Sequence, residues 1–196
     1  MARDLSLSCH CGEVQGQVAG VSPRTVMRAT CYCADCRAFL KHTGAVGCAN
    51  DQGGAELVIT LPGRIRFDAG ESNLRVLRLS KKGPLRWYAG CCGTPMGNIV
   101  PRHVIRFASV PLAVFDESQH DALGPLRGSL NAKYAPDGTS PPADFGLRRF
   151  QWRVLTHHWA AALGLAPSGT PYLNADKSTI APVEKLTDEE RARAYA

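Results

Sequence analysis

The sequence predicts a mainly β fold with antiparallel strands and a C-terminal helical extension. Short segments of alternating apolar and polar residues recur through roughly the first two thirds of the chain, each bounded by glycine, proline, asparagine or aspartate. Beyond residue 145 the apolar residues return at helical intervals. The 196 residues are enough to bury one core. We therefore predict a β domain over residues 1–145, and a helix with an extended tail, residues 146–196, that packs on it.

The first predicted elements lead into cysteines. Residues 5–20 alternate in polarity and predict a strand or hairpin that carries the first cysteine pair. Residues 25–30 predict a strand that ends at Cys31, and residues 34–41 predict one or two helical turns. The middle group of cysteines is therefore expected at a strand end and the tight turn after it.

Six later segments show the same alternation and predict the rest of the β structure. They read AELVITLP, RIRFDAG, LRVLRLSK, LRWYAGC, VIRFASVPLAVF and LRGSLNAKYA. Several short strands at this spacing are typical of antiparallel architectures. A glycine-rich phosphate loop that ends in Lys-Ser/Thr and a G-x-S-x-G elbow are both missing from the sequence. The common nucleotide-binding and serine-hydrolase templates therefore receive no support.

The C-terminal part predicts two helices joined by an extended segment. Residues 146–164 place apolar side chains at helical intervals, and Gly164 and Pro167 end this pattern. We expect the helix, with its Trp152 and Trp159, to pack on the sheet or on a second copy of the chain in a homodimer. Near the C terminus, LTDEERARAYA predicts a short charged helix capped by Thr187 or by the aspartate after it.

The charge and hydropathy patterns narrow the class of partners. The net charge is +6, but the basic residues are dispersed, and we find no basic tract or aromatic ladder of the kind that single-strand binders use. Nucleic acid is therefore not an expected partner. No apolar run approaches the roughly 20 residues of a membrane helix, and the N terminus has no secretory pattern. We expect a soluble cytoplasmic protein without a membrane partner.

The eight cysteines are the strongest functional signal in the chain. They form a C-x-C pair, a C-x-C-x-x-C group, a C-C pair and one isolated residue, Cys48. Zinc favours tetrahedral sulfur ligands that short spacings bring to one side of the ion. A redox disulfide between Cys33 and Cys36 would need a βαβ context that the pattern does not show. We therefore predict one or two Zn²⁺ ions per chain and leave Cys48 out as a buried thiol.

Three motifs together resemble one family. CHCGEVQGQV, CYCADCRAFLKHTGA and WYAGCCGTPMGN, in this order and spacing, are similar to motifs of the glutathione-dependent formaldehyde-activating enzymes, over roughly residues 7–116. The resemblance implies an antiparallel β-tent zinc-binding fold, also known from centromere protein V and from a zinc-binding guanine-nucleotide-exchange chaperone. It also implies carbon–sulfur lyase activity of the kind attributed to the enzyme members.

The resemblance also implies roles for the cysteines. The first pair, Cys9 and Cys11, matches one half of a structural zinc site whose other half is a late C-x-x-C. The middle group matches the second zinc site, where the chemistry is assigned, and would supply the catalytic residues Cys31, Cys33 and Cys36.

The late motif departs from the family pattern. Cys92 aligns with the second cysteine of the late C-x-x-C, while Ala89 stands where the first should be and Cys91 is an additional sulfur. Cys91 could complete the structural site, which requires a bulge or turn at Gly90 because neighbouring side chains on a strand face opposite ways. Alternatively, Cys91 could close the middle group as a fourth thiolate.

Two functions follow from these alternatives. With three protein ligands the second zinc site is open, and we expect an enzyme that acts on glutathione or another small thiol, with Arg37 and Lys41 near its carboxylates. With four cysteines the site is closed, and we expect a non-catalytic zinc-stabilised module that binds a protein or nucleic acid.

Overall fold

The computed structural model describes residues 2–81, 83–100, 107–144 and 146–196. Within these residues the chain forms two β-sheets and four α-helices, which confirms the predicted mainly β class. The strands are β1 (Arg3–Ser8), β2 (Gln15–Val21), β3 (Met27–Cys31), β4 (Ala55–Thr60), β5 (Ile65–Ala69), β6 (Leu74–Leu77), β7 (Leu85–Ala89), β8 (Pro95–Ile99), β9 (Ala108–Pro111), β10 (Leu126–Leu130) and β11 (Val183–Glu184). The helices are α1 (Ala34–His42), α2 (His120–Leu123), α3 (Leu147–Ala162) and α4 (Asp188–Tyr195).

The smaller sheet has the strand order β1-β2-β5, and the larger sheet has the order β10-β3-β4-β9-β8-β7-β6-β11. All pairs in the smaller sheet and the inner pairs of the larger sheet are antiparallel, as predicted. The two edge strands β10 and β11 pair in parallel with β3 and β6. The prediction of antiparallel strands is wrong at these edges, because both edge strands arrive through long connections and not through hairpins.

One hydrophobic core joins the two sheets. The smaller sheet contributes Leu7, Val18 and Ile65, and the larger sheet contributes side chains that include Val76 and the fully buried Trp87. Burying one such aliphatic side chain stabilises the fold by about 1.5–3 kcal/mol. The alternating apolar positions that predicted the strands are therefore the positions that form this core.

Tyr172, from the segment after α3, is also fully buried in this core. Its ring centroid lies 5.2 Å from that of Trp87 and 5.5 Å from that of Phe67, and its hydroxyl donates a 2.9 Å hydrogen bond to the Met96 carbonyl. Gly97 permits this approach, because a Cβ at that position would clash with the Tyr172 hydroxyl. The tail therefore contributes to the core that holds β7 and β8.

The C-terminal helices agree with their sequence patterns. The helix predicted for residues 146–164 is confirmed as α3, and Gly164 follows its end with a φ of 72°. The capping box of Thr187 and Glu190 opens α4, and Ala194 of this helix is buried against α1. Trp152 is 68% exposed within the single chain. Packing of the helix on the sheet or on a second copy of the chain stays a prediction.

Two of the strands were not predicted from the sequence. β8 begins at Pro95 and contains Gly97, two residues that ordinarily argue against a central strand. β11 has only two residues. The strand predicted over VIRFASVPLAVF is confirmed for Ala108–Pro111, while residues 104–106 lie outside the described residues. The division of the chain at residue 145 stays a prediction.

Candidate metal centres

Four cysteines meet where two turns approach each other. The turn between β1 and β2 carries Cys9 and Cys11, and the turn between β7 and β8 carries Cys91 and Cys92. We call this group the four-cysteine cluster. A backbone hydrogen bond of 2.7 Å from Gly93, at a φ of 74°, to the carbonyl at the end of β7 closes the second turn. Two turns that are far apart in the sequence thus bring their cysteine sulfur atoms close together.

The sulfur spacing in this cluster suits one tetrahedral ion. The Sγ–Sγ distances are 3.5 Å for Cys9 and Cys11, 3.3 Å for Cys11 and Cys91, and 3.9 Å for Cys91 and Cys92. Zinc–sulfur bonds of about 2.3 Å at tetrahedral angles require a sulfur separation of roughly 3.8 Å. All four sulfur atoms lie within 4.8 Å of one another. The cluster can therefore hold a metal ion, and the donor set is consistent with zinc.

The structure places Cys91 in the four-cysteine cluster and not with the middle group. The backbone turns at Gly90, as this alternative requires, and Cys91 and Cys92 reach the same point from consecutive positions. Ala89, which stands at the position of the first cysteine in the family pattern, is fully buried in the hydrophobic core. The additional sulfur of Cys91 thus lies where it could serve as the ligand that Ala89 cannot supply.

Backbone amide and side-chain hydroxyl groups make hydrogen-bond contacts with the sulfur atoms of this cluster. The Val14 amide donates a 3.2 Å hydrogen bond to Cys9 Sγ, and Thr94 Oγ1 lies 3.1 Å from Cys92 Sγ. Burial raises the pKa of Cys92, but the Thr94 hydroxyl and backbone N–H groups outweigh it and lower the pKa to about 6. The surroundings thus favour the thiolate form of Cys92, which is the form that binds metal. Burial and the hydrogen bonds with Cys11 and Cys9 instead raise the pKa of Cys91 to about 12.

The middle group forms a second, smaller cluster. Cys31 ends β3, Cys33 caps the N terminus of α1, and Cys36 lies in its first turn. Their sulfur atoms lie within 4.8 Å of one another, so this three-cysteine cluster can also hold a metal ion. Among the described residues no fourth histidine, cysteine or carboxylate joins it. The cluster thus has three ligands where a closed tetrahedral site has four.

The thiols of the three-cysteine cluster perturb one another. Hydrogen bonds from Cys31 and Cys36 lower the pKa of Cys33, and the backbone amide of Cys36 and the charge of Arg86 lower it further. Hydrogen bonds with Cys33 and Cys36, together with burial, raise the pKa of Cys31. The helix N terminus also favours negative charge at Cys33. The surroundings of this cluster therefore favour the thiolate form at Cys33.

A buried arginine contacts this cluster, and the sequence analysis missed it. The side chain of Arg86 is 4% exposed, with Nη1 3.7 Å from Cys36 Sγ and 3.4 Å from Asn98 Oδ1. Its Nη2 lies 3.9 Å from a carboxylate oxygen of Asp35, and its guanidinium lies 5.5 Å from the centroid of the Phe39 ring. Arg86 therefore offsets negative charge that the thiolates would otherwise bury alone.

A cavity of about 530 Å³ opens on the three-cysteine cluster. All three cysteines line it, as do Arg86 and Asn98 at its polar end. The rest of the described lining is mainly apolar, but it also contains the carboxylate of Asp35 and the hydroxyl of Ser109. Arg37 and Lys41, which we expected to line the site, are exposed and lie outside this lining. Among the described lining residues, the cationic group is Arg86 instead.

Cys48 belongs to neither cluster. Its side chain is partly buried, and it packs against the apolar residues near Cys36. Burial raises the pKa of its thiol, which favours the protonated form. The expectation that Cys48 stands outside the ligand sets therefore agrees with the geometry of the described residues.

The fold and these two clusters define a mainly β protein with cysteine-built candidate metal centres. Residues 1–148 match the family described as "Family of unknown function (DUF6151)", and the chain belongs to that family. The matched region contains both clusters. None of the helices in the described part of the chain is long and apolar enough to cross a membrane.

The chain is similar to a Rhodobacter sphaeroides protein of known crystal structure, with 20% sequence identity and a TM-score of 0.44, over 62% of this chain and 97% of that one. No curated protein matches the sequence. Membership of the glutathione-dependent formaldehyde-activating family, and the β-tent fold that goes with it, are therefore proposals.

Proposed function

We propose that the chain is a β-tent zinc protein in which the four-cysteine cluster holds a structural ion and the three-cysteine cluster holds a working ion. The observation that carries the proposal is the difference in ligand number. Four sulfurs close one site, whereas at the wall of the cavity of about 530 Å³ the described residues supply three sulfurs and leave the other site open. Closed zinc sites are structural, and sites with three protein ligands are typical of zinc enzymes.

The residues around the open site have separate tasks. Cys31, Cys33 and Cys36 would hold the ion. A zinc ion with three protein ligands supplies a fourth position for water or a substrate thiol, whose pKa it lowers. Nη1 of Arg86 donates toward Cys36 and offsets its charge, and the same nitrogen donates to the amide oxygen of Asn98. The apolar cavity walls would keep bulk water away from the reacting groups.

The reaction that fits these groups is the formation or cleavage of a carbon–sulfur bond. In the forming direction, a thiol loses its proton, its sulfur adds to the carbonyl carbon of a small aldehyde, and the carbonyl oxygen takes up a proton. No electrons are exchanged and no group leaves, so a co-reactant is not required. The resemblance in the cysteine motifs supports this reaction class and suggests glutathione or a related thiol as the substrate.

Metal analysis and cobalt substitution test the proposal. The pure protein is expected to hold two zinc ions per chain, and Co²⁺ in the open site is expected to gain sulfur-to-cobalt absorption when a thiol is added. Cys33→Ser should remove one ion and this response. Cys48→Ser, at the cysteine outside both clusters, should change neither.

A single zinc per chain, or a cobalt spectrum that no thiol alters, would count against an enzyme. It would favour the second candidate function, a non-catalytic module that binds a protein or nucleic acid. One observation supports this second candidate. Trp152 and Trp159 of α3 are 68% and 58% exposed, and large exposed apolar side chains are common at interaction surfaces.

A further inference from the structure

The members of the four-cysteine cluster differ in their exposure to solvent. Cys9 is buried and Cys92 is half-buried. Cys11 and Cys91 are exposed. The sulfur of Cys92 also contacts the Thr94 hydroxyl at 3.1 Å. The cluster therefore has an inner pair of cysteines and an outer pair, Cys11 and Cys91, that a small solute can reach directly from the solvent.

The two exposed cysteines also lie close to each other. Their sulfur atoms are 3.3 Å apart, whereas Cys9 and Cys91 are separated by 3.9 Å. A disulfide has a sulfur–sulfur bond of about 2.05 Å, so these two atoms would have to approach by roughly a further 1.3 Å. Cys11 lies in the turn between β1 and β2, and Cys91 lies in the turn between β7 and β8. A bond between them would thus join two turns that already meet.

The other pairs in the cluster are less suited to oxidation. Neighbouring Cα atoms in a chain are about 3.8 Å apart, below the span of about 4.4–6.8 Å that disulfides usually bridge, so a bond between Cys91 and Cys92 would be strained. A bond from Cys11 to Cys9 would require an oxidant to act on a buried residue. A bond from Cys11 to Cys92 would draw that sulfur away from Thr94. Exposure and spacing therefore both favour Cys11 with Cys91.

We propose that Cys11 and Cys91 form an oxidation site, at which hydrogen peroxide joins the two sulfurs in a disulfide and so releases the ion from the four-cysteine cluster. Oxidation of a cysteine follows its thiolate character and its exposure, and the two outer ligands of a bound ion have both. The disulfide would leave Cys9 and Cys92 as ligands, which is half of a closed tetrahedral set. The inference rests on the proposed function, because it assumes that this cluster holds zinc.

The oxidation proceeds in two balanced steps. The sulfur of one thiolate attacks hydrogen peroxide, the oxygen–oxygen bond breaks, and a sulfenic acid and a hydroxide ion form. The second thiolate then attacks the sulfur of the sulfenic acid, so that the sulfur–sulfur bond forms, the sulfur–oxygen bond breaks and a second hydroxide leaves. The two sulfurs give up two electrons to peroxide, and the two hydroxide ions take up protons from the solvent to become water. A dithiol reductant reverses the disulfide by thiol exchange.

Peptide mapping and zinc release test the proposal together. The zinc-loaded protein is treated with hydrogen peroxide and digested without reduction, and mass spectrometry should find the peptide that links Cys11 to Cys91. A chromogenic chelator measures the zinc that is released. In Cys33→Ser, which is expected to lack the ion of the three-cysteine cluster, the zinc content should fall from one ion per chain to none as the linked peptide appears. Dithiothreitol should restore zinc binding. A linked peptide without loss of zinc, or loss of zinc without the linked peptide, would overturn the proposal.

Two histidine variants at adjacent positions provide the matched control. Cys91→His and Cys92→His each keep a side chain that can bind zinc. Cys91→His removes the proposed pair and should retain its zinc at a peroxide dose that empties the unaltered cluster. Cys92→His keeps the pair and should still lose zinc and form the linked peptide. The opposite pattern would assign the oxidation to Cys92 and overturn the proposal. If either variant does not bind zinc, the peptide map of the unaltered protein decides alone.

The zinc content before oxidation separates this inference from the proposed function. If Cys9→Ser holds as much zinc as the unaltered protein before peroxide is added, the four-cysteine cluster holds no structural ion, and the proposed function fails together with the inference. If Cys9→Ser has lost one ion, the structural site is supported. Should peroxide then produce no link between Cys11 and Cys91 in the unaltered protein, the inference alone fails.

Discussion

The hydroxyl of Tyr195 donates a 2.6 Å hydrogen bond to Oδ1 of Asp35. Asp35 lies between two cysteines of the three-cysteine cluster, and its other carboxylate oxygen faces Arg86 at 3.9 Å and accepts a 3.4 Å hydrogen bond from Ser80. The neighbouring Ala194 is buried against α1. The last turn of the chain is therefore connected, through one carboxylate, to the helix that positions the candidate working site.

Tyr195→Phe is expected to weaken this connection without changing the packing. Removal of one hydrogen bond should lower the free energy of unfolding by about 0.5–1.5 kcal/mol. Tyr134→Phe, at a half-exposed side chain, serves as the control and should stay within about 0.5 kcal/mol of the unaltered protein. Urea unfolding of both variants measures the difference. Equal stability of the two variants would contradict the role of the Tyr195 hydroxyl.

Tyr172→Ala should be far more damaging, because it empties a fully buried site against Trp87 and Phe67. Truncation of a large buried aromatic side chain typically costs about 3–5 kcal/mol. A chain that ends at residue 145 should lose the same contacts and expose the core at β7 and β8. Chemical unfolding of the variant, and light scattering of the shortened chain, measure these effects. A shortened chain that stays monodisperse and as stable as the whole would show that the tail is dispensable.

Cys91→Ser should remove one ligand from the four-cysteine cluster and lower both metal content and stability. A ligand that binds only the folded chain stabilises it by about 2.7 kcal/mol when its free concentration is a hundredfold above the dissociation constant. We expect the variant to lose a contribution of this order in zinc-buffered solution. Cys48→Ser is the matched control and should retain it. Unchanged zinc content in Cys91→Ser would show that three sulfurs suffice at this site.

Sequence patterns were sufficient for most strands and for the grouping of the cysteines. The strands β1 and β2 were found because alternating burial imposes a period of two on the residues of a half-buried strand. The short spacings of C-x-C and C-x-C-x-x-C keep sulfurs close whatever the surrounding fold. The position of Cys91 could not be decided in the same way, because it depends on a turn at Gly90 that brings two distant segments together.

Arg86 and Tyr172 show what local patterns cannot reveal. An arginine between Leu85 and Trp87 suggests a side chain that faces solvent. It is buried because α1, some fifty residues earlier in the chain, covers that face of β7 with Phe39. Tyr172 lies in a segment without periodicity, and its burial depends on the space that Gly97 leaves in another strand. Both positions are set by long-range packing.

Arg86→Met should destabilise the chain, because it leaves the buried thiolates of the cysteines, and the partly exposed carboxylate of Asp35, without a cation. Removal of one partner from a buried ion pair typically costs about 3–5 kcal/mol. Arg86→Lys keeps the charge and should lose less. Arg66→Met, which breaks an exposed ion pair with Asp68, should have little effect and is the control. Urea unfolding compares the three variants, and a stable Arg86→Met protein would show that Arg86 does not offset the cluster's charge.

The pH dependence of alkylation distinguishes the two kinds of cysteine. The pKa of Cys33 is lowered by hydrogen bonds from Cys31 and Cys36, so in metal-free protein its thiolate should persist well below pH 7. The pKa of Cys48 is raised by burial, so its thiolate fraction should fall about tenfold for each unit that the pH drops below that pKa.

Short pulses of iodoacetamide at pH 6 and pH 8, followed by peptide mass spectrometry, measure both sites in one sample. Labelling of Cys33 should change little between the two pH values, while labelling of Cys48 should decrease by about a hundredfold. A parallel decrease at both sites would mean that the three-cysteine cluster does not hold a thiolate at Cys33.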